Sequence, residues 1–388
     1  MLKYIIKMKK KNLFILIPII YIFFINIVDA SDAIIAYRSN TGSLAQCPGD
    51  ILNCPKTKEW NASSNSLGNE LILPSAGSPI RGVVIKNSPI SNKKVLVTLS
   101  DDGFLDSYVC ESNCEIASSW TVSNNIAQVW GTAPVTHSKR FDIDFETLTG
   151  NLLVVYGVLS SSTTCDLAYK ILPASSFSFI GVSENCIDDT TATTDISYSW
   201  INLDSNPINT SNEITLTGID SNNNDVVAFI WNGNNWANQL EVSSDISSAG
   251  GRNALAVRYA SDGSKAIVLG ASGNVGNINY RYWNGVTWSN AASFDIDTGD
   301  NLDVRWLTLK ADPNSDDLQL VAVDSGSDLT TAYWNGDTWA ITANIDTAID
   351  TANSRPADFE WDFNSNGILV WDTDAGPRTT LSKRTCSP

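Results

Sequence analysis

The chain has 388 residues, with 42 Asp and Glu against 25 Lys and Arg and a formal net charge of −17 at pH 7. Nucleic acid and anionic lipid are not expected partners, because phosphate binding needs clustered Lys and Arg. The single His, His137, and the absence of a Gly-x-Ser-x-Gly segment argue against a Ser-His-Asp hydrolase and against a His-rich zinc site.

The first thirty residues have the layout of a signal peptide. Five Lys precede an apolar run from Leu13 to Val28, and Val28-Asp29-Ala30 offers a cleavage site before Ser31. The run is slightly long and contains Pro18, so an uncleaved anchor is the alternative. No later stretch approaches the length of a membrane span. The sequence therefore predicts a secreted or cell-surface protein with no membrane span after cleavage.

A tryptophan hairpin recurs in the second half of the chain. The segment Trp-Asn-Gly-x-x-Trp begins at Trp231, Trp283 and Trp334, so its copies start about 51 residues apart. Asn-Gly is typical of a two-residue β-hairpin turn, and a fixed period of this length indicates a ring or stack of small sheets. We predict that residues 31–388 form one all-β domain, a β-propeller.

Each unit contains one strand with period-two alternation and one more continuously apolar strand. The alternating, inner strands are 141–145, 196–200, 255–259, 302–306 and 359–363, with a weaker copy at 79–85. The apolar second strands are 33–37, 95–98, 152–156, 213–217, 266–269, 318–321 and 367–371. Seven second strands predict about seven four-stranded antiparallel blades. Fourth strands are expected to begin at Trp60, Trp120, Trp236, Trp288 and Trp339.

The cysteines predict hairpin disulfides and an incomplete last blade. Cys47 with Cys54, Cys110 with Cys114, and Cys165 with Cys186 are the expected pairs in an exported protein. Cys386 takes the repeat position of Cys47 and Cys110 but has no partner. We expect a carboxy-terminal truncation that removes the last fourth strand; an unpaired thiol or an intermolecular disulfide is the alternative.

The hairpins resemble two propeller families. Gly285-Val-Thr-Trp288 and Gly336-Asp-Thr-Trp339 resemble the second half of the Asp-box, S-x-D-x-G-x-T-W, of sialidase-like propellers, although Trp283 and Trp334 replace the box Asp. The whole hairpin also resembles the W-D-G-x-x-W turns of fucose-binding propeller lectins, over about six residues in three units. The Asp-box resemblance implies that the tryptophans pack between blades rather than stack on sugar.

A cluster of charges near the predicted axis is the candidate ligand site. Arg258 and Arg305 are expected at equivalent positions of two neighbouring inner strands, where they could hold an anion bidentately. The accompanying carboxylates are Asp142, Asp144, Asp303, Glu360 and Asp362. The alternative is that these groups pair with one another between blades.

A second candidate is a calcium loop. Asp362-Phe-Asn364-Ser-Asn366-Gly367 places oxygen ligands at alternate positions, as calcium requires. No Glu stands at the twelfth position, and the same residues are typical of plain hairpin turns. Calcium is the only cofactor that the sequence suggests.

The sequence predicts an exported, disulfide-stapled β-propeller that acts as an extracellular binding or adhesion module, with a glycan or an envelope protein as partner. One alternative is a sialidase-like glycoside hydrolase or lyase, which would need a Tyr nucleophile beside the Arg pair. Another is a structural envelope protein, whose axial channel should be closed by its own ion pairs.

Overall fold

The computed structural model describes residues 33–38, 47, 50–61, 66–129, 139–158, 165–190, 198–220, 222–244, 246, 253–272, 276–296, 302–349, 356–362, 364–372 and 379–384. The predictions for the leader, His137 and Cys386 lie outside these residues.

The described residues form seven antiparallel sheets, which are the blades of the predicted propeller. Blade 1 consists of β1 (Ala33–Tyr37), β2 (Lys56–Asn61), β3 (Ser66–Leu67) and β4 (Leu71–Ile72). Blade 2 consists of β5 (Ile80–Asn87), β6 (Lys94–Ser100), β7 (Phe104–Cys110) and β8 (Thr121–Gln128). Blade 3 consists of β9 (Phe141–Phe145), β10 (Leu152–Gly157), β11 (Leu167–Leu172) and β12 (Asn185–Ile187). Blades 4 and 5 consist of β13 (Tyr198–Ser205), β14 (Ile214–Asp220), β15 (Asp225–Trp231) and β16 (Trp236–Ser243); and β17 (Leu255–Tyr259), β18 (Ala266–Ala271), β19 (Asn277–Trp283) and β20 (Ala292–Asp295). Blades 6 and 7 consist of β21 (Val304–Ala311), β22 (Leu318–Asp324), β23 (Leu329–Trp334) and β24 (Trp339–Asp346); and β25 (Ala357–Trp361), β26 (Gly367–Asp372) and β27 (Thr379–Arg384).

Blades 2 to 6 are simple meanders in which each strand pairs with the next one along the chain. The first strands of successive blades contact one another from β5 through β9, β13, β17 and β21 to β25, so these strands are the inner ones. The second strands of blades 2 to 6 are almost wholly buried, as their continuous apolar character predicted, whereas β1 and β26 are more exposed. The propeller fold, with a last blade of three strands, is thus confirmed.

Blade 1 departs from the predicted strand pattern. Its β1 pairs with β2 in a register that places Ala33 opposite Trp60, so Trp60 ends a strand instead of opening the fourth one. Trp120 and Trp288 precede β8 and β20 rather than belonging to them, whereas Trp236 and Trp339 open β16 and β24 as expected.

The first tryptophan of each hairpin packs between blades. Trp231, Trp283 and Trp334 are at most 3% exposed. The indole N–H of Trp231 donates to Glu146 Oε1 of the preceding blade (2.6 Å), and that of Trp283 donates to Glu213 Oε2 (2.9 Å). The glycine of each Asn-Gly turn has φ near +90°, which side-chain-bearing residues rarely adopt. The packing interpretation of these tryptophans is therefore confirmed.

Three disulfides are formed as expected: Cys47–Cys54, Cys110–Cys114 and Cys165–Cys186. Cys110–Cys114 closes the turn after β7, whereas Cys165 and Cys186 are 21 residues apart and link the chain on either side of β11. In the part of the chain that the structure describes, no helix is both long and apolar enough to cross a membrane.

Candidate functional site

The inner strands of blades 2 to 7 each place one charged residue at the same register position. In every one of these blades, this residue lies directly opposite the second residue of the same blade's second strand. The six residues, which we call the axial ring, are Lys86, Asp144, Asp204, Arg258, Lys310 and Glu360. Three cations and three carboxylates give the axial ring a formal charge of zero.

Neighbouring blades neutralise each other in pairs. Lys86 Nζ lies 3.0 Å from Asp144 Oδ2, joining blades 2 and 3. A guanidinium nitrogen of Arg258 lies 2.9 Å from Asp204 Oδ1, joining blades 4 and 5. Lys310 Nζ lies 2.6 Å from Glu360 Oε2, joining blades 6 and 7. The ring therefore satisfies its own charges, as the alternative interpretation of the sequence proposed.

Asp204, in the pair of blades 4 and 5, has the least exposed side chain of the three carboxylates. The Asp204 side chain is 9% exposed and also accepts the backbone N–H of Tyr259 at 2.6 Å. Burial raises the pKa of Asp204, and the nearby Arg258 opposes that shift. Burial lowers the pKa of Lys86, but the carboxylates of Asp144 and Asp142 outweigh it, so the pKa of Lys86 lies above its usual value.

Five of the six residues of the axial ring, all but Lys310, line a cavity of about 520 Å³ at the end of the inner strands. We call this space the axial cavity. Its walls also include the aromatic rings of Tyr259 and Trp361, the prolines Pro207 and Pro313, and the hydroxyl of Ser261. Blades 2 to 7 thus all contribute to one polar space on the axis.

The structure brings together four of the seven predicted axial residues. Those that line the axial cavity are Asp144, Arg258, Glu360 and Asp362. The expected equivalence of Arg258 and Arg305 is wrong: Lys310, which lies opposite Gln319 as Arg258 lies opposite Ile267, takes that position, and Arg305 lies five residues earlier, near the start of β21.

The other three predicted residues lie away from the axial cavity. Asp142 accepts the backbone N–H of Leu203 (2.9 Å) and pairs with Lys139 (2.8 Å). Asp303 precedes β21, where its backbone bonds to Ser325. The Nε atom of Arg305 is buried without a hydrogen-bond partner.

Sequence reasoning missed Lys86, Asp204 and Lys310. A signal for them was present, since a charged residue recurs near the end of every inner strand in blades 2 to 7.

The calcium candidate forms a capped turn. One oxygen of Asp362 accepts the backbone N–H groups of Asn364 and Asn366, both at 2.8 Å, and its other oxygen accepts the Asn366 amide at 2.8 Å. This pattern is typical of an Asx-type turn. Among the described residues, no group of three His, Cys, Asp or Glu is placed to hold a metal ion. Calcium binding remains a prediction.

A second cavity, of about 300 Å³, lies between blades 3 and 4. We call it the interblade cleft. Its apolar walls are Tyr169, Ile187, Phe229 and Trp236, and its polar rim includes Asp188, Asn235, Asn238 and Gln239. The Nε1 atom of Trp236 is buried without a hydrogen-bond partner. Sequence analysis assigned Trp236 to packing and did not find this cleft.

The same junction in blades 5 and 6 is filled by the chain itself. There Phe294 stacks on Trp339 with ring centroids 4.9 Å apart and an interplanar angle of 23°, beside the edge of Tyr280. In blades 3 and 4 the equivalent Trp–Tyr pair is Trp236 and Tyr169, with centroids 6.2 Å apart. Ile187 takes the register position of Phe294, so a smaller side chain leaves the cleft open.

No protein-family model matches the chain, and no curated protein matches its sequence. Solved structures do resemble it. The BP39L lectin from Burkholderia pseudomallei is 13% identical, with a TM-score of 0.55, over 91% of this chain and 98% of the lectin. This similarity shows the fold alone.

Two further similarities are too low to carry an argument. The Aleuria aurantia lectin, described as a six-bladed β-propeller, is 12% identical with a TM-score of 0.40, over 83% of this chain and 97% of the lectin. The polysaccharide lyase Uly1 is 12% identical with a TM-score of 0.47, over 79% of this chain and 81% of the lyase.

Proposed function

We propose that this protein is a glycan-binding β-propeller that works outside the cell as a recognition or adhesion module, and that the interblade cleft is its sugar site. The observation that carries the proposal is the stacking of Phe294 on Trp339 in blades 5 and 6, compared with the open cleft beside Trp236 in blades 3 and 4. In blades 5 and 6 the chain itself places a planar ring against the tryptophan at this repeat position.

The chemistry of the cleft suits a sugar. The aromatic side chains of Trp236 and Tyr169 offer apolar area to the C–H face of a pyranose. The amides of Asn235 and Asn238 and the carboxylate of Asp188 supply donors and acceptors for hydroxyl groups. A small number of polar groups on an aromatic floor is the usual composition of a small-molecule site.

The charges of the cleft favour a neutral sugar over an acidic one. Among the described residues that line the cleft, Asp188 is the only one with an ionisable carboxylate, and none is Lys or Arg. Sialic acid or a uronic acid would meet this carboxylate without a countercharge, which costs affinity. The proposal therefore does not include the sialidase-like reaction, which needs a cationic site for the sugar carboxylate.

Export supports the extracellular part of the proposal. The leader predicts secretion, and three disulfides are typical of an oxidising compartment. The lectin that is similar in fold makes a binding role the natural one for this architecture. Repetition of the blade provides a rigid frame in which one junction has been opened for a ligand.

A glycan array probed with the mature protein tests this function. We expect binding to neutral glycans and its loss in Trp236→Ala, by about thirtyfold or more, since truncating a buried aromatic anchor typically costs about 2 kcal/mol. Trp339→Ala is the matched control, because that tryptophan occupies the same hairpin position but is covered by Phe294. Binding that survives in Trp236→Ala but is lost in Trp339→Ala would contradict the assignment of the site.

A further inference from the structure

The axial cavity is a second recess in the propeller, and its lining residues differ from those of the interblade cleft. It takes residues from six blades, whereas the cleft takes residues from blades 3 and 4 only. We propose that the axial cavity binds a neutral, polyhydroxylated ligand of mono- or disaccharide size. This site is independent of the cleft and of the function proposed for it.

The charge balance of the axial ring selects a neutral ligand. Each cation already lies within 3.0 Å of a carboxylate on the next blade. A ligand with net charge would have to compete with one of these pairs and leave its partner unneutralised, which is costly in a confined space. A neutral ligand leaves all three pairs intact.

Hydroxyl groups match a ring that contains both hydrogen-bond donors and hydrogen-bond acceptors. Lys and Arg side chains only donate hydrogen bonds, and ionised carboxylates only accept them. A hydroxyl does both, so a polyol can bridge a cation on one blade and a carboxylate on another. Ser261 and the ring of Tyr259 add a polar and an apolar wall to the same space.

Arg258 and Glu360 have capacity left for such a ligand. One guanidinium nitrogen of Arg258 bonds to Asp204, and a guanidinium carries five N–H donors. The Arg258 side chain is 39% exposed and that of Glu360 is 66% exposed, although both border the cavity. These two groups therefore present charged atoms to the cavity while remaining in their ion pairs.

The size and the aromatic wall of the cavity fit a sugar ring. A volume of about 520 Å³ is within the range of small-molecule sites. Trp361 donates its indole N–H to the backbone oxygen of Lys310 at 3.2 Å, and this bond fixes the orientation of its ring beside Glu360. A fixed aromatic ring next to paired charges offers both stacking area and hydrogen bonds.

Nuclear magnetic resonance of the mature, ¹⁵N-labelled protein tests the site. The indole N–H signal of Trp361, assigned with Trp361→Phe, is followed while glucose, galactose, fucose, lactose or maltose is added to about 50 mM, which detects even millimolar affinity. Glucosamine and N-acetylneuraminic acid serve as the cationic and anionic counterparts. We expect a saturable shift with at least one neutral sugar, and no shift with glucosamine or N-acetylneuraminic acid at equal concentration.

Two variants identify the atoms involved. Glu360→Gln leaves Lys310 unneutralised in the axial ring and should weaken binding about tenfold, while Asp337→Asn, an equal charge change on an exposed hairpin, should not. Trp236→Ala removes the aromatic wall of the interblade cleft. A shift of the Trp361 indole signal that persists in this variant therefore reports binding in the axial cavity. The proposal is overturned if no neutral sugar gives a saturable shift, if only charged sugars do, or if Glu360→Gln binds like the wild type.

Discussion

Asp106 should make the propeller less stable as the pH rises. This residue lies in β7, is fully buried, and accepts one backbone N–H, that of Asn125 at 2.7 Å, through Oδ1. Its other oxygen is buried without a hydrogen-bond partner. Burial raises the pKa of this carboxyl from 3.8 to about 6.

The sign of the effect follows from proton linkage. Because the pKa is higher in the folded protein than in the unfolded chain, the folded protein binds the proton more tightly. The stabilisation is complete below pH 4 and is lost as the pH rises through about 6. A shift of roughly two pH units corresponds to about 3 kcal/mol in the free energy of unfolding.

Asp106→Asn should remove this dependence, because its amide oxygen can still accept from Asn125 and the side chain does not titrate. We expect the variant to gain about 3 kcal/mol over the wild type between pH 4 and pH 8, measured by urea unfolding with intact disulfides. Asp337→Asn, on an exposed hairpin, should show a difference that does not change with pH. A constant difference for Asp106→Asn would refute the reasoning, because it would mean that the carboxyl titrates alike in the folded and unfolded protein.

Two further predictions concern the blade junctions. Phe294→Ala should uncover Trp339 and create a second cleft, so titration calorimetry with a sugar that binds the first cleft should report about two sites per chain in place of one; an unchanged stoichiometry would count against the stacking argument. Arg258→Met should destabilise the fold by about 2 kcal/mol, because it leaves the nearly buried Asp204 without its cation, and adding Asp204→Asn should recover most of this loss. Additive losses in that double-mutant cycle would show that the pair does not couple.

The fold could be predicted because its signals are local. Alternation with period two and the Asn-Gly turn are properties of neighbouring residues; the alternation recurs in most blades and the tryptophan hairpin with its Asn-Gly turn in three. Blade 1 was harder, since its β1 pairs directly with the strand that ends near Trp60. That pairing follows from contacts with β5 rather than from any motif in the segment itself.

The candidate sites depended on features that a strand pattern does not carry. Arg305 lies near the start of β21, five residues before Lys310, which takes the position of Arg258; the similarity of the segments 255–259 and 302–306 gave no sign of this offset. The interblade cleft depends on one outer-strand side chain, Ile187 where the later repeat has Phe294. Only the packed structure shows which of two similar junctions is filled.

The axial ring also has a consequence for how many blades this architecture can lose or gain. Its signs, read from blade 2 to blade 7, follow the order plus, minus, minus, plus, plus, minus, and each ion pair joins an even-numbered blade to the next odd-numbered one. Deleting blade 5 alone would remove Arg258, leave the carboxylate of Asp204 without its cation, and give the ring a net negative charge. Deleting blades 4 and 5 together would bring Asp144 beside Lys310 and keep the ring neutral. In electrostatic terms the module of this propeller is an ion-paired couple of blades, since adding or removing such a couple leaves the ring neutral.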